Sequence, residues 1–188
     1  MCQELRSFRQ SIAAFAGGFD ARSLTPAQAG EVVGLCARIE ASAASIKALA
    51  AARSAEGNEW ERYGFRSAAE QLADQAGMSP GAAKRALEAG RRMADQPEVA
   101  QAALAGELSL EQAGAVSDGA AANPDKAREL IDKARRSSLP ELNEAVAAVK
   151  AERSDQDELR RARHARRSLR RWTDRDGALN ARMYGHPE

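Results

Sequence analysis

Two histidines, two cysteines and an aromatic content of only 4% leave this 188-residue chain short of the usual materials for metal sites and bulky cores. Cys2 and Cys36 are too few for a disulfide framework or, unaided, for a closed zinc site, which takes four ligands. Cys36 falls on an apolar helix face and reads as a buried small hydrophobe. The chain has no CxxC pair and no grouping of nucleophile with base, so no catalytic residue, metal ligand or cofactor is assigned. No apolar run approaches the roughly 20 residues of a membrane span. The opening MCQELRSFRQ is too polar for a secretory signal. No membrane partner is expected, and a cytoplasmic, reducing location is the default.

What the chain has instead is alanine, charge and helix punctuation. Hydrophobic residues at 44% and charged residues at 29% are ordinary for a globular protein. With so few aromatics, the core must come from close helix–helix contact. Residues 3–16 read as an amphipathic helix with Leu5, Phe8, Ile12 and Phe15 on one stripe, stopped by Gly17 and Gly18. Thr25, Pro26 and Gln28 signal another start, and the pattern stays helical to about residue 55. Val32, Leu35, Cys36, Ile39, Ala43, Ile46 and Leu49 approach a heptad there, which predicts pairing with a second long helix, inside the chain or on another subunit. Residues 56–65, with Gly57, Trp60 and Gly64, read as a linker held to the core by its aromatics.

The most informative stretch is 67–93, SAAEQLADQAGMSPGAAKRALEAGRRM. Ser67 and Glu70 form a capping-box pattern, and Ala68, Leu72, Ala73 and Ala76 share an apolar face. Gly77 suits the positive φ that ends a helix, and Ser79-Pro80 begins the next. Ala73, Gly77, Met78, Ala83 and Ala86 have the small and apolar spacing that a tight crossing needs. This is the pattern of a helix-turn-helix, whose second helix commonly enters the DNA major groove. Ala83, Ala86, Leu87 and Gly90 face inward. Lys84, Arg85, Glu88, Arg91 and Arg92 point away and are the candidate base contacts. A capped helical hairpin with a solvated basic face would have the same signature.

Beyond it, Pro97 opens a helix ending near Gly106, and Ser109 with Gln112 boxes another, giving a second helical pair at about 97–120. Asn123 and Pro124 start a helix to about Ser137. Leu139 and Pro140 begin a last stretch bearing Leu142, Val146, Val149 and Leu159, interrupted at Ser154-Asp155, which could pair with helix 26–55. Asp176-Gly177 is a two-residue hairpin signal, with Leu179, Ala181 and Met183 alternating after it. The expected architecture is all-α, a multi-helix domain at 1–166 containing the helix-turn-helix. A basic segment and small C-terminal β-hairpin follow at 167–188. The ending HPE, with no closing strand, suggests a fragment of something longer.

Net charge is +1, but it is unevenly placed. Residues 160–175 hold eight arginines against one acid, Asp174, whereas residues 1–159 hold 19 basic and 24 acidic side chains. Such asymmetry points to a polyanion, although arginines can also neutralise an acidic face of their own chain. On the DNA reading, Ser79, Arg160, Arg163, His164, Arg166, Arg167, Arg170 and Arg171 are the candidate phosphate contacts.

The order of parts resembles the N-terminal domain of the 13E12-repeat family of actinobacterial proteins, also called domain of unknown function 222. The most specific portions are AGELSLEQA at 105–113 and RHARRSLRRWTDRDG at 163–177. That family's domain commonly precedes an HNH endonuclease module, so the resemblance implies a DNA-binding, non-catalytic N-terminal part of a nuclease-associated protein. A weaker similarity links LADQAGMSPGAAKRAL at 72–87 and LAGELSLEQAGAV at 104–116 to ParB-type partition proteins. An HNH site needs metal-binding histidines, often braced by CxxC pairs. Here only His164, set among arginines, and His186, near the C-terminus, are present. Asp174 and Asp176 read as turn formers before metal ligands. Double-stranded DNA is the expected partner. The alternative is a helical scaffold without DNA contact, a homodimer through helices 26–55 and 139–165.

Overall fold

The computed structural model describes residues 1–153, 168–174 and 176–184. Among them are nine α-helices and one antiparallel β-hairpin, the all-α architecture with a C-terminal hairpin expected from the sequence. The helices are α1 (Cys2–Gly17), α2 (Pro26–Ser54), α3 (Glu59–Arg62), α4 (Ala68–Ala76), α5 (Pro80–Ala94), α6 (Pro97–Leu104), α7 (Leu110–Ala122), α8 (Ala127–Ala134) and α9 (Leu139–Arg153). The strands are β1 (Ser168–Thr173) and β2 (Leu179–Tyr184). No described helix is long and apolar enough to cross a membrane.

Capping chemistry sets most boundaries. Thr25 and Gln28 close a reciprocal box at the start of α2, and Ser109 and Gln112 do the same for α7. At α4 the expected box is only half formed. Ser67 Oγ accepts from the Glu70 N–H at 3.1 Å, but the Glu70 carboxylate accepts from Arg66 N–H at 2.7 Å, one residue upstream. After Asn123 the chain first makes a 3₁₀ turn, Pro124–Lys126, and α8 ends at Ala134.

Helices α5 and α7 lie at the centre. α5 packs on α2, α4 and α7, and α7 also packs on α6, α8 and α9. Of the 23 buried apolar side chains among the described residues, twelve are alanine and none is aromatic, in keeping with the scarcity of large residues. Met93, Val99, Leu108, Val116, Leu130 and Leu142 supply the bulk of the main cluster. Small residues let backbones approach. A Cβ on Gly90 would come within 2.6 Å of the Ala48 carbonyl carbon of α2. One on Gly106, at φ +71° in the α6–α7 turn, would meet the Arg38 carbonyl oxygen at 2.5 Å.

Three expectations are corrected. Cys36 is exposed, because α2 buries a different stripe: Ala41, Ser45, Ala48 and Ala52. The aromatics of 56–65 do not all cover the core. Trp60 and Phe65 are half-buried and Tyr63 is exposed, within a segment that contains α3. α9 uses Leu142, Val146 and Val149 against α7 and α8, whereas α2 packs on α5 and α6. The apolar face of residues 139–153 is therefore covered within the chain, and the pairing of helices 26–55 and 139–165 is not formed there. The part of that stretch beyond Arg153, including Leu159 and the Ser154-Asp155 interruption, lies outside the described residues.

Candidate nucleic-acid interface

The turn at 77–79 fixes the relation of α4 to α5. Gly77 takes φ +60°, its N–H donating to Asp74 O, and Met78 N–H donates to Ala73 O at 3.0 Å. Ser79 then accepts from Ala82 N–H at 3.2 Å, and Pro80 occupies the first helical position. Leu72, Ala73, Ala83 and Ala86 form the cluster between the two helices, joined by Ala76 and Met78. These contacts give a helix-turn-helix shape in which the inward positions of α5 are those read from the sequence. Ser79, a candidate phosphate contact, is already committed as the cap.

Because α5 is buried on most of its circumference, its exposed arc is narrow. Successive residues turn about 100°, which puts Lys84, Arg85, Glu88, Arg91 and Arg92 on one side. Lys84, Arg85 and Arg91 are exposed, and no carboxylate partner is found for them among the described residues. Glu88 and Arg92 are half-buried. Arg92 leans toward α7, 3.6 Å from Asp118, and its Nε is buried without a partner. Asp118 also accepts from Lys150 of α9 at 2.8 Å. Arg92 is thus a strut between helices, and the free cations of the arc are three. Beside it runs a groove of about 540 Å³ lined by Arg85, Glu88 and Arg92 from α5 and by Glu111 and Asp118 from α7. One wall of this groove is acidic, so a phosphate would be met by the Lys84 and Arg91 side of the arc. Two arginines in and just after α8 are arranged differently. Arg128 is paired with Glu98, and Arg135 with Glu107 and Asp132.

Of the second group of candidates, Arg160, Arg163, His164, Arg166 and Arg167 lie outside the described residues, as does His186. Arg170 and Arg171 lie in β1, where Arg171 is exposed. The strand register sets Arg182 opposite Arg170 and Asn180 opposite the half-exposed Trp172. Arg182 was not among the sequence candidates; counting outward from Asp176-Gly177 reaches it, but one residue out of register, opposite Arg171. The connection itself is wider than two residues. Pairing ends at Thr173 and Leu179, and Gly177, at φ +81°, donates to Asp174 O at 3.2 Å.

Asp174 organises that turn. Its Oδ1 accepts from the N–H groups of Ala178 at 2.9 Å and Asp176 at 3.1 Å, and its Oδ2 from the Asn180 amide at 3.2 Å. The Ala178 N–H above all, then the Asn180 amide and the Asp176 N–H, hold its carboxyl below the ordinary value of 3.8. A lowered pKa means that the contribution is complete above the ordinary value and is lost as pH falls through the lowered one. Asp174→Ala, or acid below the usual carboxylate range, is expected to unzip the hairpin while leaving the helices folded, since a two-stranded hairpin is marginal alone. Loss of the cross-strand amide signals at unchanged helical circular dichroism is the readout; a hairpin intact in the variant would show that Asp174 is incidental.

Comparison with protein-family models, curated proteins and solved structures finds no match. The resemblance to the 13E12-repeat proteins therefore rests on its motifs. Among the described residues, no three His, Cys, Asp or Glu side chains are grouped to hold a metal ion.

Proposed function

We propose that the chain is a DNA-binding module that reads duplex DNA with the outer arc of α5. The observation that carries this reading is the set of unpaired cations, Lys84, Arg85 and Arg91, on the exposed side of the second helix of a tightly capped helix-turn-helix. Arginine and lysine to guanine edges are the commonest specific contacts, each bidentate pair worth about 1–3 kcal/mol of discrimination. The arginines of 160–175 bind phosphates, adding affinity and salt dependence without sequence information. Following the motif resemblance, the module serves as the non-catalytic N-terminal part of an HNH-endonuclease-associated protein.

The test is fluorescence anisotropy with random-sequence duplex DNA at about 50 and about 200 mM salt. A protein making six or more phosphate contacts loses roughly 10³-fold or more in affinity over that range. Tight binding that collapses in this way supports the reading, and absence of binding at the lower salt overturns it. A scaffold without DNA contact is favoured by one separate observation, the uncovered apolar stripe of α1. For such a scaffold, added duplex would leave the light-scattering mass unchanged at moderate salt.

A further inference from the structure

α1 is an amphipathic helix on which no described helix or strand is closely packed. It buries none of its residues, and Leu5, Phe8, Ile12 and Phe15, continued by Phe19 just beyond its end, recur at alternating intervals of three and four. That is the a/d spacing of a coiled-coil seam. Phe8 is 69% exposed and Phe15 63%. The first half of α2 has the same character. No residue from Pro26 to Glu40 is buried, and Leu35, Ile39 and Ile46 are exposed. At 3.6 residues per turn, this stripe lies about a third of a turn from the one α2 buries against α5 and α6. A second seam therefore runs along α2, separate from the body.

We infer that these two seams form the interface with a second copy of this chain. α1 of each protomer lies along the stripe of its partner's α2, building a four-helix bundle from two copies of the α1–α2 pair. Three features favour this occupant. The exposed side chains of the two stripes leave roughly 800 Å² of apolar surface in water per chain, taking about 200 Å² for each phenylalanine. That matches the roughly 800 Å² each partner buries in a standard specific interface. The segments are also matched in length: α1 has 16 residues, and the unburied part of α2 runs from 26 to 40. Finally, α1 carries Arg6 and Arg9 against Glu4, whereas 26–40 carries Glu31 and Glu40 against Arg38. The net charges are +1 and −1, so α1 against a partner's α2 is complementary where like against like is not.

This inference is independent of the DNA reading. Its test is light scattering on the full chain over a wide concentration range, with Phe8→Glu, Ile12→Glu and Ile39→Glu examined beside it. A dimer is expected, weakened about tenfold or more by each glutamate because every substitution enters the interface twice. Circular dichroism should show the helical body still folded, since all three side chains are exposed in the single chain, with melting lowered only by the lost, concentration-dependent contribution of association. Lys84→Ala should leave the dimer intact. A monomer at every concentration, or a dimer indifferent to all three glutamates, overturns the inference. So does a monomer whose α1 amides are strongly protected from hydrogen exchange, which would mean closure onto its own α2. A monomer that floats with anionic phospholipid vesicles would assign the stripe to a lipid surface instead.

Discussion

Alanine in place of Gly90 is expected to lower stability by about 3 kcal/mol, the upper end of what overpacking ordinarily costs. On helix propensity alone the same change would stabilise by roughly 1 kcal/mol, because glycine is a poor interior helix residue. The two arguments have opposite signs, so the experiment decides between them. The atom a new Cβ would meet is the backbone carbonyl of Ala48, with the Leu49 amide nitrogen 3.2 Å away. Neither can rotate aside as a long side chain could. α2 and α5 would have to part by roughly an ångström to restore an ordinary carbon–oxygen contact, loosening every contact along the crossing. For a chain of this size the loss corresponds to a fall of roughly 6–12 °C in Tm. Gly81→Ala, in the same helix, meets only the flexible end of Arg85 at 3.7 Å and should leave Tm unchanged or slightly raised. If both variants melt alike, the close approach of α2 and α5 is wrong.

The second large effect is functional. Reversing Lys84, Arg85 and Arg91 together to glutamate is expected to abolish DNA binding at moderate salt. All three are exposed and have no ion-pair partner among the described residues, so the fold should survive. If the arc makes three phosphate-strength contacts, their share of the salt dependence is about fortyfold between about 50 and 200 mM, and reversal removes that share and adds repulsion. Single substitutions separate roles. Arg85→Ala should flatten preference among sequences, whereas Arg166→Ala should weaken all duplexes equally and shrink the salt slope by about one. Equal effects of the two on every sequence would dissolve the division between base and phosphate contacts. Full affinity in the triple variant would move the DNA site off α5 altogether.

The parts of this architecture legible in the sequence are those determined by near neighbours. Ser79, Ser109, Thr25 and Gly77 each cap a helix through atoms two to four residues away, so the residue type was enough. The common side of Lys84, Arg85, Glu88, Arg91 and Arg92 followed from helical periodicity in the same way. What depended on distant partners was not legible. Arg92 looked like its neighbours because Asp118, which draws it toward α7, belongs to another helix. On α2 the conspicuous stripe of Val32, Leu35 and Ile39 pointed to pairing with a long helix, inside the chain or on another subunit, and it is not the stripe that packs within the chain. The stripe that packs is made of alanines and Ser45, whose weak hydrophobic signal hides it. The same blindness placed Cys36 inside and matched α9 to the wrong helix. At the hairpin, Asp176-Gly177 gave the right place but the wrong width, because Asp174 gathers two backbone N–H groups and so sets the turn.

A core in which twelve of the 23 buried apolar side chains among the described residues are alanine reverses the usual direction of mutational risk. Leucine-rich interiors fail by truncation, when a missing methyl group leaves a void. At these twelve positions there is almost nothing to truncate, and nearly every replacement enlarges the side chain in an already buried position. Glycine and serine are the only substitutes of comparable size, and serine is already accepted at Ser45 and Ser117, whose hydroxyls donate to carbonyls four residues back. Relatives of this chain should therefore drift freely at surface positions while exchanging only alanine, glycine and serine along the α2, α5 and α7 crossings. That triad of tiny residues, more than any large hydrophobe, is the pattern by which distant relatives would be found.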